Sequence, residues 1–231
     1  MIKIVQAEYY FKYPISTIMA KSSQGILGPI LGKVGPVSGH MRGIVNIIRP
    51  SGNQVTYKPT PGRVVQQKKM KLCNVFTKPF TGTGFFDKAF PAYGKTNYGC
   101  NRATSALLNL AVVGTYPDMQ LSYPKVLISK GLLPGAENAA AVVDKNGNIH
   151  FSFTDNSDTG TASGSDKVIA VVYCEALQQA VFSLNAGLRK DGEAVLNASM
   201  FKGYEAETWI GFLSNDETNA SDSVWTGKIS L

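Results

Sequence analysis

Three stretches of this sequence spell fragments of known chemistry. Ala89-Phe90-Pro91-Ala92-Tyr93-Gly94-Lys95-Thr96 sets Gly-Lys-Thr after four spacers. In a phosphate loop that pattern curls backbone N–H groups around phosphates and lets the lysine reach them. Such a loop needs amide donors and a buried strand leading in. Here the spacers are aromatics and a proline without an N–H, and no strand precedes them. Asp158-Thr159-Gly160-Thr161 spells the aspartic-protease turn, whose mechanism needs two carboxylates sharing a proton. The polar Asp155-Asn156-Ser157 before it makes a simple turn the better reading. Asp155, Ser157, Thr159, Gly160 and Asp166 match positions 1, 3, 5, 6 and 12 of a calcium loop. Asp155, Ser157, Thr159 and Asp166 are therefore candidate metal ligands. Against them, the flanks read as strands, and the last ligand is Asp rather than the longer Glu.

The two histidines, His40 and His150, sit in no metal or triad spacing, and neither do Cys73, Cys100 and Cys174. An odd, sparse cysteine count argues against a disulfide framework. His150 alternates with Ile149 and Phe151 and reads as the solvent-facing residue of a strand. No catalytic residue is nominated, no cofactor and no small-molecule substrate are implied, and a non-enzymatic protein is expected.

The stronger signal is charge. Lys58, Arg63, Lys68, Lys69, Lys71, Lys78, Lys88, Lys95 and Arg102 fall in 45 residues that hold one acid, Asp87. Phe76, Phe80, Phe85, Phe86 and Tyr93 are interleaved with them. Cations beside stacking aromatics suit single-stranded nucleic acid. The competing reading is an aromatic core with a basic rim that docks on an acidic neighbour, and it is preferred because large aromatics tend to bury. Under either reading Lys58, Arg63, Lys68, Lys69, Lys71, Lys78 and Arg102 are the candidate binding residues. The net charge of +7 is lopsided: residues 1–120 hold 15 basic and 3 acidic side chains, residues 121–231 hold 8 and 13. The acidic half of another copy is thus a natural partner for the basic half.

The elements that would position these residues follow from patterning. With 231 residues, 44% hydrophobic and 17% charged, the composition is globular and excludes disorder, collagen and a coiled coil. No stretch reaches the ~18 apolar residues of a membrane helix. Residues 1–24, with Tyr9, Tyr10, Phe11 and Tyr13, read as an arm on another surface or an edge strand of the same molecule. They do not read as a signal peptide, so a protein kept in the cell or released by lysis is expected. Residues 25–119 form a basic, glycine-rich region. It holds a hairpin (Ile44 to Pro50, returning at Gln54–Tyr57) and two helices: one capped by Thr60-Pro61 and stopped by Pro79, one from Asn101 to Val112 ended by Gly114. From Gln120 the period becomes two. Strands are expected around Val126–Ile128, Ala141–Val143, Ile149–Phe153, Val168–Tyr173, Ala180–Phe182, Ala194–Leu196, Thr208–Leu213 and Val224–Leu231, which makes residues 120–231 a β-sandwich. The fold class is mainly β.

Several phrases resemble a Bacteroidetes family known only as a domain of unknown function, number 6266. They include Gly25 to Gly28, Gly32-Lys33-Val34-Gly35, Ile47-Ile48-Arg49-Pro50, Gly114-Thr115-Tyr116-Pro117-Asp118, Ser122-Tyr123, Val126 to Gly131, and Leu133-Pro134-Gly135-Ala136. Phe153 to Ser157, Asp166-Lys167, Val171-Val172-Tyr173, Gly211-Phe212, Ser223-Val224 and Gly227-Lys228-Ile229 continue it. The resemblance spans residues 25–231. It departs at residues 1–24 and at Lys68 to Lys71, where the family usually carries arginines. It implies a bacterial or bacteriophage origin but no activity. The second half also resembles immunoglobulin-like and fibronectin type III modules. Together these readings point to a structural or assembly protein displaying a β-sandwich, in a phage virion or a bacterial surface assembly, with other copies or subunits as partners. The alternatives are nucleic-acid binding through residues 58–102, and an adhesion module with loop-mediated ligand or calcium binding.

Overall fold

The computed structural model describes residues 20–26, 28–51, 58–94 and 98–231. The aromatic arm at residues 1–19, the return strand Gln54–Tyr57 and the Lys95-Thr96 pair lie outside the described residues. The chain divides into two compact units, Met1–Lys58 and Pro59–Leu231.

In the first unit, strands β1 (Lys21–Ile26), β2 (Ile30–Val34), β3 (Val37–Arg42) and β4 (Val45–Pro50) form an antiparallel meander in chain order. Two-residue turns join the last three strands. Gly35 and Gly43 each take the first turn position with positive φ, 55° and 63°, which matches the right-handed twist of the flanking strands. The single expected hairpin is thus a sheet of at least β1–β4, because glycines at every third or fourth position hide the alternation of β1 to β3. Pairing sets Gly32, Gly39 and Ile48 side by side, and Val34 beside Val37 and Pro50. The other face carries Lys33, Arg42 and Arg49.

The second unit opens with α1 (Pro61–Thr77), whose first turn is capped as expected: the Thr60 hydroxyl accepts the Arg63 N–H at 3.4 Å, with Pro61 at the first helical position. A 3-10 turn at Lys78–Phe80 follows, since Pro79 has no N–H to extend the ladder. Short α2 (Phe85–Ala89) follows, a helix beyond the two expected in this region. Helix α3 (Gly99–Ala106) runs on as a π turn to Ala111. It stops there because Val112-Val113 (β5) pairs with Gln120-Leu121 (β6); Gly114 opens the loop between these two strands.

Seven strands complete the unit: β7 (Glu137–Val143), β8 (Asn148–Thr154), β9 (Lys167–Cys174), β10 (Gln179–Ser183), β11 (Glu193–Asn197), β12 (Glu205–Leu213) and β13 (Val224–Ser230). They form two antiparallel sheets, ordered β10-β9-β12-β13 and β11-β8-β7, an immunoglobulin/fibronectin-like sandwich. Val126–Ile128, expected as a strand, is a buried irregular segment. The N–H groups of Ile128 and Ser129 both donate to the Ser223 hydroxyl, at 2.9 and 3.4 Å, which replaces a ladder for them.

Strands β9 and β12 explain how the layers stack. Val168, Ala170, Val172 and Cys174 enter the core between the sheets, with Phe151, Ile210 and Phe212. Ile169, Val171, Tyr173 and Trp209 face the other way, against Cys73, Phe76, Phe80, Phe85, Phe86 and Leu107 of the helical segment. Both strands are therefore near-continuous apolar runs, as strands buried on two faces must be. The unit has three layers: helices, the β10-β9-β12-β13 sheet, and the β11-β8-β7 sheet. The helical segment shares its core with the sandwich, and both lie in the compact unit Pro59–Leu231.

Candidate interaction surfaces

The aromatics that sequence spacing offered for base stacking lie in the core. Phe76, Phe80, Phe85, Phe86 and Phe90 are all within 3% of full burial. Their rings pack on one another and on Phe182, Tyr173 and Trp209. Only Tyr93 of that group stays half exposed, and its hydroxyl is hydrogen-bonded to Asn219.

The cations are left at the surface, but not as one patch. Arg63, Lys71 and Lys78 line a shallow groove along α1 with Gln66, Gln67 and Asn74. Lys68 and Lys71 rim a cleft of about 440 Å3 between α1 and the sheet. Lys69 faces the groove between α1 and α3. None of these five forms an ion pair among the described residues. Arg102 is turned inward, and its Nε donates to the Phe90 carbonyl at 2.9 Å. Lys58 belongs to the other unit. Lys88 pairs with Glu217 at 2.5 Å, and Glu217 also holds Lys167 at 2.7 Å. These two lysines pull the Glu217 carboxyl down to about 2.

The cleft beside α1 has Leu72, Val75, Phe76 and Leu121 as apolar lining, with Tyr123, Tyr173 and Glu175 at its sheet side. Burial first, and then the Glu175 carboxylate nearby, push the Tyr123 phenol well above its ordinary range. Burial likewise raises Tyr173 to about 12. Both phenols stay protonated donors at neutral pH.

The loop with calcium-loop spacing is organised by an arginine. Asp166 is 2% exposed, and its Oδ2 accepts the Ser163 N–H at 3.0 Å and Arg189 Nε at 3.1 Å. Arg189, fully buried, also donates to Asn156 Oδ1 at 2.5 Å and to the Pro134 carbonyl at 3.1 Å. Its guanidinium carbon lies 3.7 Å from the centre of the Phe212 ring. Asp155 turns back to accept the Ser157 N–H at 3.0 Å, and Thr159 is exposed. Of the four candidate metal ligands, Asp166 has its charge neutralised by a guanidinium supplied by the turn before β11. Among the described residues no group of three or more His, Cys, Asp or Glu side chains is placed to hold a metal. Sequence reasoning missed Arg189 altogether. It sits beside Lys190 and Asp191 in Gly187-Leu188-Arg189-Lys190-Asp191-Gly192, where local pattern says nothing about burial. His150 is exposed on β8, as alternation predicted.

No described helix is long and apolar enough to cross a membrane. No curated protein has a sequence matching this chain. Among solved structures, the fn3 domain of human collagen alpha-1(XX) chain is similar at 8% identity and a TM-score of 0.30, over 42% of this chain and 83% of that one. A family model matches residues 27–227, which take in β2 to β4, the helical layer and nearly all of the sandwich; the chain belongs to the Family of unknown function (DUF6266).

Proposed function

We propose that this protein is a non-enzymatic structural or assembly protein, a bacteriophage virion component or bacterial surface-assembly subunit that displays its β-sandwich. Its N-terminal meander docks on the acidic sandwich of a neighbouring copy. One observation carries this reading. Residues 20–58 hold Lys21, Lys33, Arg42, Arg49 and Lys58 with no Asp or Glu, and among the described residues of that stretch only Gly39 is buried. Val34, Met41, Val45 and Ile48 remain 40% exposed or more. A sheet with apolar side chains and no core of its own gains stability by covering them. Its uniform positive charge selects an acidic cover, and residues 121–231 carry 13 acids against 8 bases.

The test is light scattering of the full chain after size exclusion, at 50 mM and 500 mM salt, with Arg42→Glu/Arg49→Glu alongside. Oligomers that shrink in high salt and in the variant support the reading. A monomer at every concentration and salt level overturns it.

A further inference from the structure

We propose a second binding surface, independent of the meander: the solvent face of α1 holds the phosphodiester backbone of double-helical nucleic acid. Arg63, Lys71 and Lys78 lie along one groove, and Lys68 flanks it. From Arg63 to Lys78 the helix rises about 22 Å at 1.5 Å per residue. That length faces about six phosphates of one strand, at 3.4 Å of axis each. All four cations are free of ion pairs among the described residues, and the helix contains no acid to compete for them. Between them stand Gln66, Gln67 and Asn74, neutral amides that donate to phosphate oxygens.

The chemistry of this face separates nucleic acid from the other polyanion-bearing partners. None of the exposed residues of α1 is a large apolar one. A protein interface draws its affinity from buried aromatic and aliphatic anchors, and an interfacial helix from an apolar face set into the bilayer; here Met70 and Val75, the apolar lining of the groove, are only partly exposed, and the exposed side chains along it are cations and amides. The burial of Phe76, Phe80, Phe85 and Phe86 removes the stacking platform that single strands require. Backbone charge without base stacking selects a duplex, read without regard to sequence.

The experiment is fluorescence anisotropy of the full chain on a labelled 20-base-pair duplex, from 20 to 200 mM salt. The triple variant Arg63→Gln/Lys71→Gln/Lys78→Gln is measured beside it. Each lost phosphate contact lowers the slope of log affinity against log salt by about 0.9, so the variant loses about 2.7. The charge-preserving Arg63→Lys/Lys71→Arg/Lys78→Arg keeps the full slope. Circular dichroism of both variants matches the parent, because the substituted side chains are exposed and glutamine suits a helix. The proposal fails if the parent does not bind duplex at 20 mM salt, or if the glutamine variant keeps the parent slope. It also fails if that variant loses binding to vesicles of anionic lipid while its duplex binding is unchanged. A poly-dT strand bound more tightly than the duplex overturns it as well. Failure here leaves the oligomer test of the meander untouched, because Arg42 and Arg49 are unaltered in every variant.

Discussion

Replacing Arg189 with methionine removes the guanidinium that pairs with Asp166. The side chain is fully buried, and Asp166 beside it is 2% exposed. The substitution strands that carboxylate and takes donors from Asn156 Oδ1 and the Pro134 carbonyl. Breaking a buried pair from one side costs about 3–5 kcal/mol, most of it the desolvation of the charge left behind. Methionine fills similar volume over Phe212, so little of that loss comes from a cavity. Asp166→Asn/Arg189→Met removes both charges, and the double variant should recover at least about 2 kcal/mol relative to Arg189→Met, since an apolar replacement of a buried pair is often near neutral. Urea unfolding followed by tryptophan fluorescence reads this unit alone, because both tryptophans, Trp209 and Trp225, sit in β12 and β13. A loss below about 1 kcal/mol for Arg189→Met, the range of an ordinary surface change, would refute the assignment of Arg189 as the buried hub of these loops.

Phe76→Ala should cost about 3–5 kcal/mol in the same assay, because its ring lies 4.8 Å from Tyr173 and 5.9 Å from Trp209 and joins the helical layer to the sheet; loss of near-ultraviolet dichroism at unchanged helix content would show the layers parting. Thr60→Ala should lower stability by only about 0.5–1 kcal/mol, given a long, exposed 3.4 Å cap, and calorimetry would register a small drop in Tm. Glu217 has its carboxyl held near 2 when folded against an ordinary 4.5, so its contribution is complete above pH 4.5 and disappears as pH falls toward 2. Thermal melts between pH 6 and pH 2 should therefore show a shallower acid loss for Glu217→Gln than for the parent, and equal slopes would remove the Lys88–Glu217–Lys167 bridge from the account.

Legibility differed by element. The sandwich strands were readable because short apolar runs end at clear turns, as in Lys145-Asn146-Gly147 between β7 and β8; β8 and β11 alternate with period two, whereas β9 and β12 are near-continuous apolar runs. Helix α1 was readable from Thr60, Pro61 and Pro79, residues whose backbone chemistry is local. What stayed hidden depended on distant partners. Ser223 draws Val126–Ser129 out of strand geometry from nearly a hundred residues away. The glycines of β2 and β3 erased the alternation that marks a half-buried strand. The cations of α1 were identified as residues, but their split among three grooves needed the helix's orientation on the sheet. Arg189 gave no local sign because its burial is decided by Asp166, Asn156 and Phe212, from three other segments.

The shared core of helices and sheet also orders events at the ribosome. Phe76 and Phe80 emerge well before their cover exists, since Tyr173 and Trp209 follow roughly a hundred residues or more later in the chain. At ordinary rates of synthesis that interval is on the order of ten seconds. During it α1 is a one-sided helix with its apolar stripe in water, without the tertiary packing from which most helical stability in proteins comes. Folding of this unit therefore waits on β9 and β12, and a nascent chain halted before Trp209 should be a client for chaperones that hold exposed aromatic segments.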